Sequence, residues 1–268
     1  MRDSETRKIV EASTPSTINN TPSNLIREHE FISFMYADLI GSSAMVEEHQ
    51  PEMVAETIAT FLMEAAKIVH ALGGVCHSYD GDRIMAVFHT NQGPTQAVLA
   101  AFYINAVMEL SVIPHCQKSF GISPQHAIGI DAGKALAVKS GLPRPGVAHN
   151  MGNDVSYVGK AANYAARNSG IRINDEHGID KQYRIYVSDE AFQVIKPVKC
   201  WCYNCDVKNV HPDAWDSTLA GAHKTALTIR TPDILAQNKL VQVWEQHTLS
   251  DGSLVHCTNQ RLYRHAEP

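Results

Sequence analysis

Residues 30–43 read EFISFMYADLIGSS, and this stretch decides the fold. Positions 30–37 are apolar and aromatic behind a charged start and stop at Asp38. A run of that length bounded by polar residues is a buried strand. Gly41 then makes a turn. Over 44–72, Val54, Ile58, Leu62, Ala65 and Ile68 recur at three- and four-residue steps, the spacing of one helix face. Pro51 either starts that helix or kinks it, and Gly73-Gly74 ends it as a C-cap.

Working outward, 75–79 and 83–89 read as two strands around an Asp80-Gly81 turn. Residues 96–110 are helical, 126–130 a strand, 160–169 a helix and 183–187 a strand, with 239–246 expected to close the sheet. The order β-α-β-β-α-β predicts an α+β, ferredoxin-like domain: an antiparallel sheet with helices on one face. It is expected to span 29–268. Residues 1–28, rich in Ser, Thr, Asn and Pro, are expected to be disordered. Residues 199–235 have weak periodicity and read as an insertion.

The 268 residues, 44% apolar, suffice for one sizeable core. A net charge of −5 without a basic tract argues against nucleic-acid or anionic-membrane partners. No apolar run is seen that approaches the roughly 20 residues of a membrane helix, and residues 1–23 lack the apolar region of a secretory signal. The six cysteines are therefore read as reduced thiols in a cytoplasmic protein.

Three stretches carry chemistry. In YADLIGSS, residues 36–43, a strand ends at Asp38 and a glycine turn leads into a helix. Gly41, Ser42 and Ser43 would turn backbone N–H groups toward an anion, with Asp38 beside it to hold a hard cation. Asp38 would equally serve as a plain helix N-cap. In YDGDRIMAVF, residues 79–88, Asp82 opens a strand, or simply helps make the turn. If the first strand lies beside the hairpin, Asp38 and Asp82 converge on a pair of Mg²⁺ or Mn²⁺ ions, an arrangement suited to in-line attack at phosphorus. In DVSYVGKAANYAARNSG, residues 154–170, Asn163 and Arg167 are four apart on one helix face. An amide and a guanidinium there suit a ribose and a phosphate gaining charge; the alternative is a solvated polar face.

Together, in this order and spacing, these stretches resemble the class III adenylate and guanylate cyclase domain. Residues 36–43 resemble that family's F-x-D-I-x-G-[FS]-[TS], and 80–88 its I-G-D-x-x-M-A-V-F with Asp80 for the hydrophobic residue. Residues 129–133 resemble G-I-H-x-G with Asp131 for His, 154–167 resemble D-Y-T-x-x-G-x-x-V-N-x-A-A-R, and YVSDEAF at 186–192 matches a further strand and turn. The resemblance implies two Mn²⁺ or Mg²⁺ ions held by Asp38, Asp82 and the Leu39 carbonyl, and attack of the ribose 3′-oxygen on the α-phosphorus of a nucleoside triphosphate with loss of pyrophosphate. Asn163 would orient the ribose and Arg167 stabilise the transition state, both supplied by the partner subunit of a homodimer. Lys239 falls near the family's triphosphate-binding lysine.

Two family positions choose the base. They are Ser78, where adenylate cyclases carry Lys and guanylate cyclases Glu, and Ser156, where Asp or Thr and Cys stand. Short hydroxyls with Tyr79 alongside imply a small base pocket. The pattern resembles the bacterial pyrimidine cyclases of Pycsar anti-phage defence, which make cyclic UMP or cyclic CMP for a separate effector. Adenylate cyclase is the second reading. Two non-enzyme readings remain. One is a catalytically dead cyclase-like module, against which all four catalytic positions are present. The other is a zinc module using Cys200, Cys202, Cys205 and His211, with His256 and Cys257 in reserve.

Overall fold

The structure, a computed structural model, describes residues 8–11, 25–139, 155–171, 173–174, 180–181, 183–195, 200–202, 208–209, 233–236, 239–242 and 244–259. Its strands and helices run β1 (Lys8–Glu11), β2 (Leu25–Ile40), α1 (Ser42–Glu48), α2 (Pro51–Ala71), β3 (Val75–Asp80), β4 (Arg83–Phe88), α3 (Gly93–Val107), a π turn (Met108–Val112) and α4 (Ile113–Phe120). There follow β5 (Gln125–Lys139), β6 (Val155–Val158), α5 (Lys160–Ser169), β7 (Ile173–Asn174), β8 (Asp180–Lys181), β9 (Ile185–Ser188), α6 (Asp189–Gln193), β10 (Cys200–Cys202), β11 (Lys208–Asn209), β12 (Asp233–Ala236), β13 (Lys239–Gln242), β14 (Glu245–Thr248) and β15 (Leu254–Thr258).

The main sheet has the order β14-β15-β9-β5-β2-β4-β3, with β1 paired to β2 and β6 to β5. The α+β, ferredoxin-like architecture is the expected one, with two differences. The pairing of β5 with β9 is parallel, so the sheet is mixed. Helices also cover both faces. Strand residues point alternately up and down, so Met35, Ala37 and Leu39 of β2 join the α2–α3 core while Ile32 and Phe34 pack with Ala161, Ala162 and Ala165 of α5 on the opposite face. Small residues let α5 approach closely. A side chain at Gly129 would put its Cβ 2.2 Å from the Ala165 carbonyl oxygen, so only glycine fits there.

Pro51 starts α2 and separates it from α1, because its fixed φ and missing N–H suit a first turn. Pro114 stands just after the π turn. It has no N–H for the preceding turn, and the wider ring accommodates that loss. The continuous helix 93–120 is long and apolar enough to cross a membrane, which corrects the sequence reading. It lies mostly buried in the core, against the sheet and α2.

Other expectations change at the termini. The boundary at residue 28 falls inside β2, whose first residues, Leu25–His29, carry three polar side chains and hide the strand pattern; β1 also lies within the stretch expected to be disordered. The strand expected over 239–246 is two pieces. β13 pairs with β12, while β14 and β15 form a hairpin that joins the main sheet through β9. Of the expected insertion, only β10, β11 and the start of β12 are described.

Candidate active site

Asp38 sits where β2 outruns β4. The β2–β4 register ends at Asp38↔Arg83, whereas β2–β5 pairing continues to Ile40↔Gln125. The Leu39-Ile40 backbone thus has no strand partner on the β4 side. Gly41 then turns the chain with φ 73°, a left-handed conformation that favours glycine, and α1 begins at Ser42. Gly41 is the N-cap and no side chain caps this helix, so Asp38 is not an N-cap. Instead Arg83 Nη2 donates to Asp38 Oδ2 at 2.8 Å. The β3–β4 turn, with Gly81 at φ 61°, places Asp82 one residue beyond that pair.

Ser42, Ser43, Gly81 and Asp82 line one open pocket of about 490 Å³, walled by Val46, Ala55, Ile58, Ala59 and Leu62. Ser42, Ser43 and the second aspartate of the expected site are therefore brought together. Hydrogen bonding to Asp38 raises the Arg83 pKa, and the charges of Asp38, Asp82 and Asp80 add to this. Three carboxylates around one guanidinium leave a local negative excess. Two of them and a main-chain carbonyl are hard oxygen donors of the kind Mg²⁺ and Mn²⁺ take, so the residues fit the expected ions. Among the described residues no group of three or more His, Cys, Asp or Glu forms a ready metal cage.

Asn163 and Arg167 are both exposed on α5, whose other face is buried. Arg167 is held within the chain. Its Nη1 donates to Asp251, its Nη2 donates to Ser253 Oγ at 3.1 Å, and Tyr164 stacks under the guanidinium at 4.0 Å. Asp251 and Ser253 lie in the β14–β15 turn, so Arg167 is tied toward the β15 side of the sheet. Three strand steps separate β2 from β15, roughly 14 Å at about 4.8 Å per step.

The candidate base residues separate. A bulge between Cys76 and Ser78 adds one residue to β3. Tyr79 comes to lie beside Cys76, whose Sγ reaches toward the Ala66 carbonyl of α2 at 4.0 Å. His77 instead meets Tyr157 edge-on at 5.0 Å. Ser156 is exposed, next to the inward-facing Tyr157. Strands β3 and β6 thus meet through His77 and Tyr157, and Tyr79 is not brought to Ser156. Lys239 lies in β13, opposite Ala236, in a two-stranded sheet separate from the main one. Asp131, in place of the family histidine, is buried and accepts from Ser188 Oγ and the Ala132 N–H; burial pushes its pKa up to about 6. Ser188 in turn caps α6.

Cys205 and His211 of the zinc reading lie outside the described residues. His256 is paired with Asp189 at 2.8 Å and stacked on Phe192, and Cys257 is buried.

Tyr157 also draws together His29 and His89, whose rings lie 5.4 Å apart. Burial, with the charges of His29 and His77, pushes the His89 pKa down to about 4. Neither His29 Nε2 nor His89 Nδ1 has a hydrogen-bond partner among the described residues. A folded value below the ordinary 6.5 means that the unfolded chain takes up the proton first. His89's contribution is complete above pH 6.5 and is lost as the pH falls toward 4, with about 2 kcal/mol gone by pH 5. Melting should therefore be several degrees lower at pH 5 than at pH 7.5, and His89→Gln should shrink that gap; an equal gap in the variant contradicts this origin.

No protein-family model matches the chain. It is 33% identical over 162 residues to a uridylate cyclase of Xanthomonas perforans, covering 59% of this chain and 66% of that one. It is 33% identical over 149 residues to a uridylate cyclase of Burkholderia cepacia, covering 54% and 61%. The chain thus spans somewhat less than two thirds of these relatives. Among solved structures, the guanylate cyclase domain of RhGC from Catenaria anguillulae in complex with GTP superposes with a TM-score of 0.56 at 15% identity, covering 87% of this chain and 98% of that one. The adenylyl cyclase CyaB from P. aeruginosa superposes with a TM-score of 0.55 at 16% identity, covering 87% and 95%.

Proposed function

We propose that this chain is a class III nucleotidyl cyclase that converts UTP to 3′,5′-cyclic UMP and pyrophosphate, a reading supported by its likeness to uridylate cyclases and by the fold it shares with cyclase domains. The observation that carries the reaction type is the convergence of Ser42, Ser43 and Asp82 in one pocket, with Asp38 at the adjoining strand end. The base follows from the likeness to uridylate cyclases, and it selects uracil where Ser78 and Ser156 alone leave cytosine open.

Asp38, Asp82 and the Leu39 carbonyl would hold two Mn²⁺ or Mg²⁺ ions. Such ions lower the pKa of a bound hydroxyl and offset triphosphate charge. The Ser42 and Ser43 N–H groups stand in the first turn of α1, where no intrahelical carbonyl meets them, and are available to phosphate oxygens. Release of Arg83 from Asp38 would give those oxygens a further cation. Asn163 orients the ribose, and Arg167 meets the charge that builds on the α-phosphate. On the base side, Ser78 adjoins His77 in β3 and Ser156 adjoins Tyr157 in β6, and this reading takes Tyr157 rather than Tyr79 as the aromatic ring beside a small base.

The active unit in this reading is a homodimer. Arg167 is tied to the turn beside β15, three strand steps from the β2 strand of Asp38, and in this reading it serves the site of a second copy, which supplies the missing half. Cyclic UMP would then act on a separate effector, in keeping with the resemblance to anti-phage cyclases. Incubating the chain with UTP and Mn²⁺ tests the reaction. Equimolar cyclic UMP and pyrophosphate are expected by mass spectrometry, and UDP or UMP alone would overturn cyclisation.

A further inference from the structure

The contacts of Arg167 come from a turn more than eighty residues away. That turn, between β14 and β15, is itself tightly organised. Leu249 and Gly252 close it by backbone hydrogen bonds, and Gly252 takes φ 80°. Asp251 Oδ1 accepts from both the Ser253 N–H, at 3.0 Å, and the Ser253 hydroxyl, at 2.5 Å. Its Oδ2 is left to accept from Arg167. With Tyr164 against the flat face of the guanidinium, the group is fixed from two edges and one side.

We infer that Asp251 is a positioning residue: with Ser253 and Tyr164 it pre-orients the Arg167 guanidinium for the partner's α-phosphate, making the β14–β15 turn part of the active site. An unbranched arginine has four side-chain torsions to fix, and a charge stabiliser works best when that ordering is already complete before substrate binds. The turn is tied to Arg167 by hydrogen bonds, so its effect passes through Arg167. The inference rests on the reading of Arg167 given above.

The test is a mutant cycle in the full chain, read as kcat and KM for UTP together with melting temperature. Asp251→Ala should lower kcat about tenfold with KM and melting little changed. Asp251→Asn keeps an acceptor oxygen and should restore most of the rate. In the Arg167→Ala background, Asp251→Ala should cost nothing further. Unchanged kcat in Asp251→Ala, a rise in kcat (which would mean that the contact withholds Arg167), or an equal loss in the Arg167→Ala background each overturns the positioning role. Near-normal turnover by Arg167→Ala alone would instead overturn the assignment of Arg167, and the inference with it.

Discussion

Asp38→Ala and Asp82→Ala chains are each expected to lose more than about 10²-fold in cyclisation rate, because even outer partners of metal ligands cost about 10–100-fold when removed. Fold and assembly should survive. Asp38 stands near the end of β2 and Asp82 in the β3–β4 turn, and neither belongs to the buried core. Asp38→Ala strips Arg83 of its carboxylate, but the guanidinium is about one-third exposed and regains water at small cost. Steady-state rates in Mn²⁺, with circular dichroism and mass measurement as controls, check the expectation. Turnover within a few-fold of wild type in either variant would contradict the metal assignment.

Mixing inactive chains should restore activity. Arg167→Ala should lose about 10²–10³-fold, as expected for one transition-state donor. If each site takes its carboxylates from one chain and Arg167 from the other, a heterodimer of Asp38→Ala and Arg167→Ala chains holds one intact site and one doubly broken site. Random exchange at equal amounts gives half heterodimers, so activity should recover to about a quarter of wild type. Recovery that stays at the level of the separate chains, with exchange demonstrated by mass spectrometry, would contradict a shared site.

What the sequence disclosed follows the range over which each signal acts. Local patterns placed β2, the β3–β4 hairpin, α2 and α5, because apolar spacing and Gly or Pro punctuation act within a few residues. Asp38, Asp82, Asn163 and Arg167 stood out on the same basis, each tied to a strand end or a helix face. Pairings between distant segments were not legible. Nothing local announces that Arg167 reaches Asp251, or that β15 rather than 239–246 joins β9. Arg83, directly after Asp-Gly-Asp, comes opposite Asp38 only through the β2–β4 register, which no local pattern gives. Tyr79 lies on the Cys76 side of β3 because a one-residue bulge reverses which way each later side chain points. The same bulge brings His77, which the sequence reading passed over, against Tyr157.

The central claim is that this cyclase site selects a pyrimidine, and a single competition measures it. The full chain, supplied with equimolar ATP, GTP, CTP and UTP and Mn²⁺, should yield cyclic UMP as the dominant cyclic product by mass spectrometry. It should exceed each cyclic purine nucleotide by about ten- to a hundredfold, the range expected when a wrong base leaves one buried polar group unpaired. Cyclic AMP or cyclic GMP as the major product would contradict the account and leave a purine cyclase on the same fold.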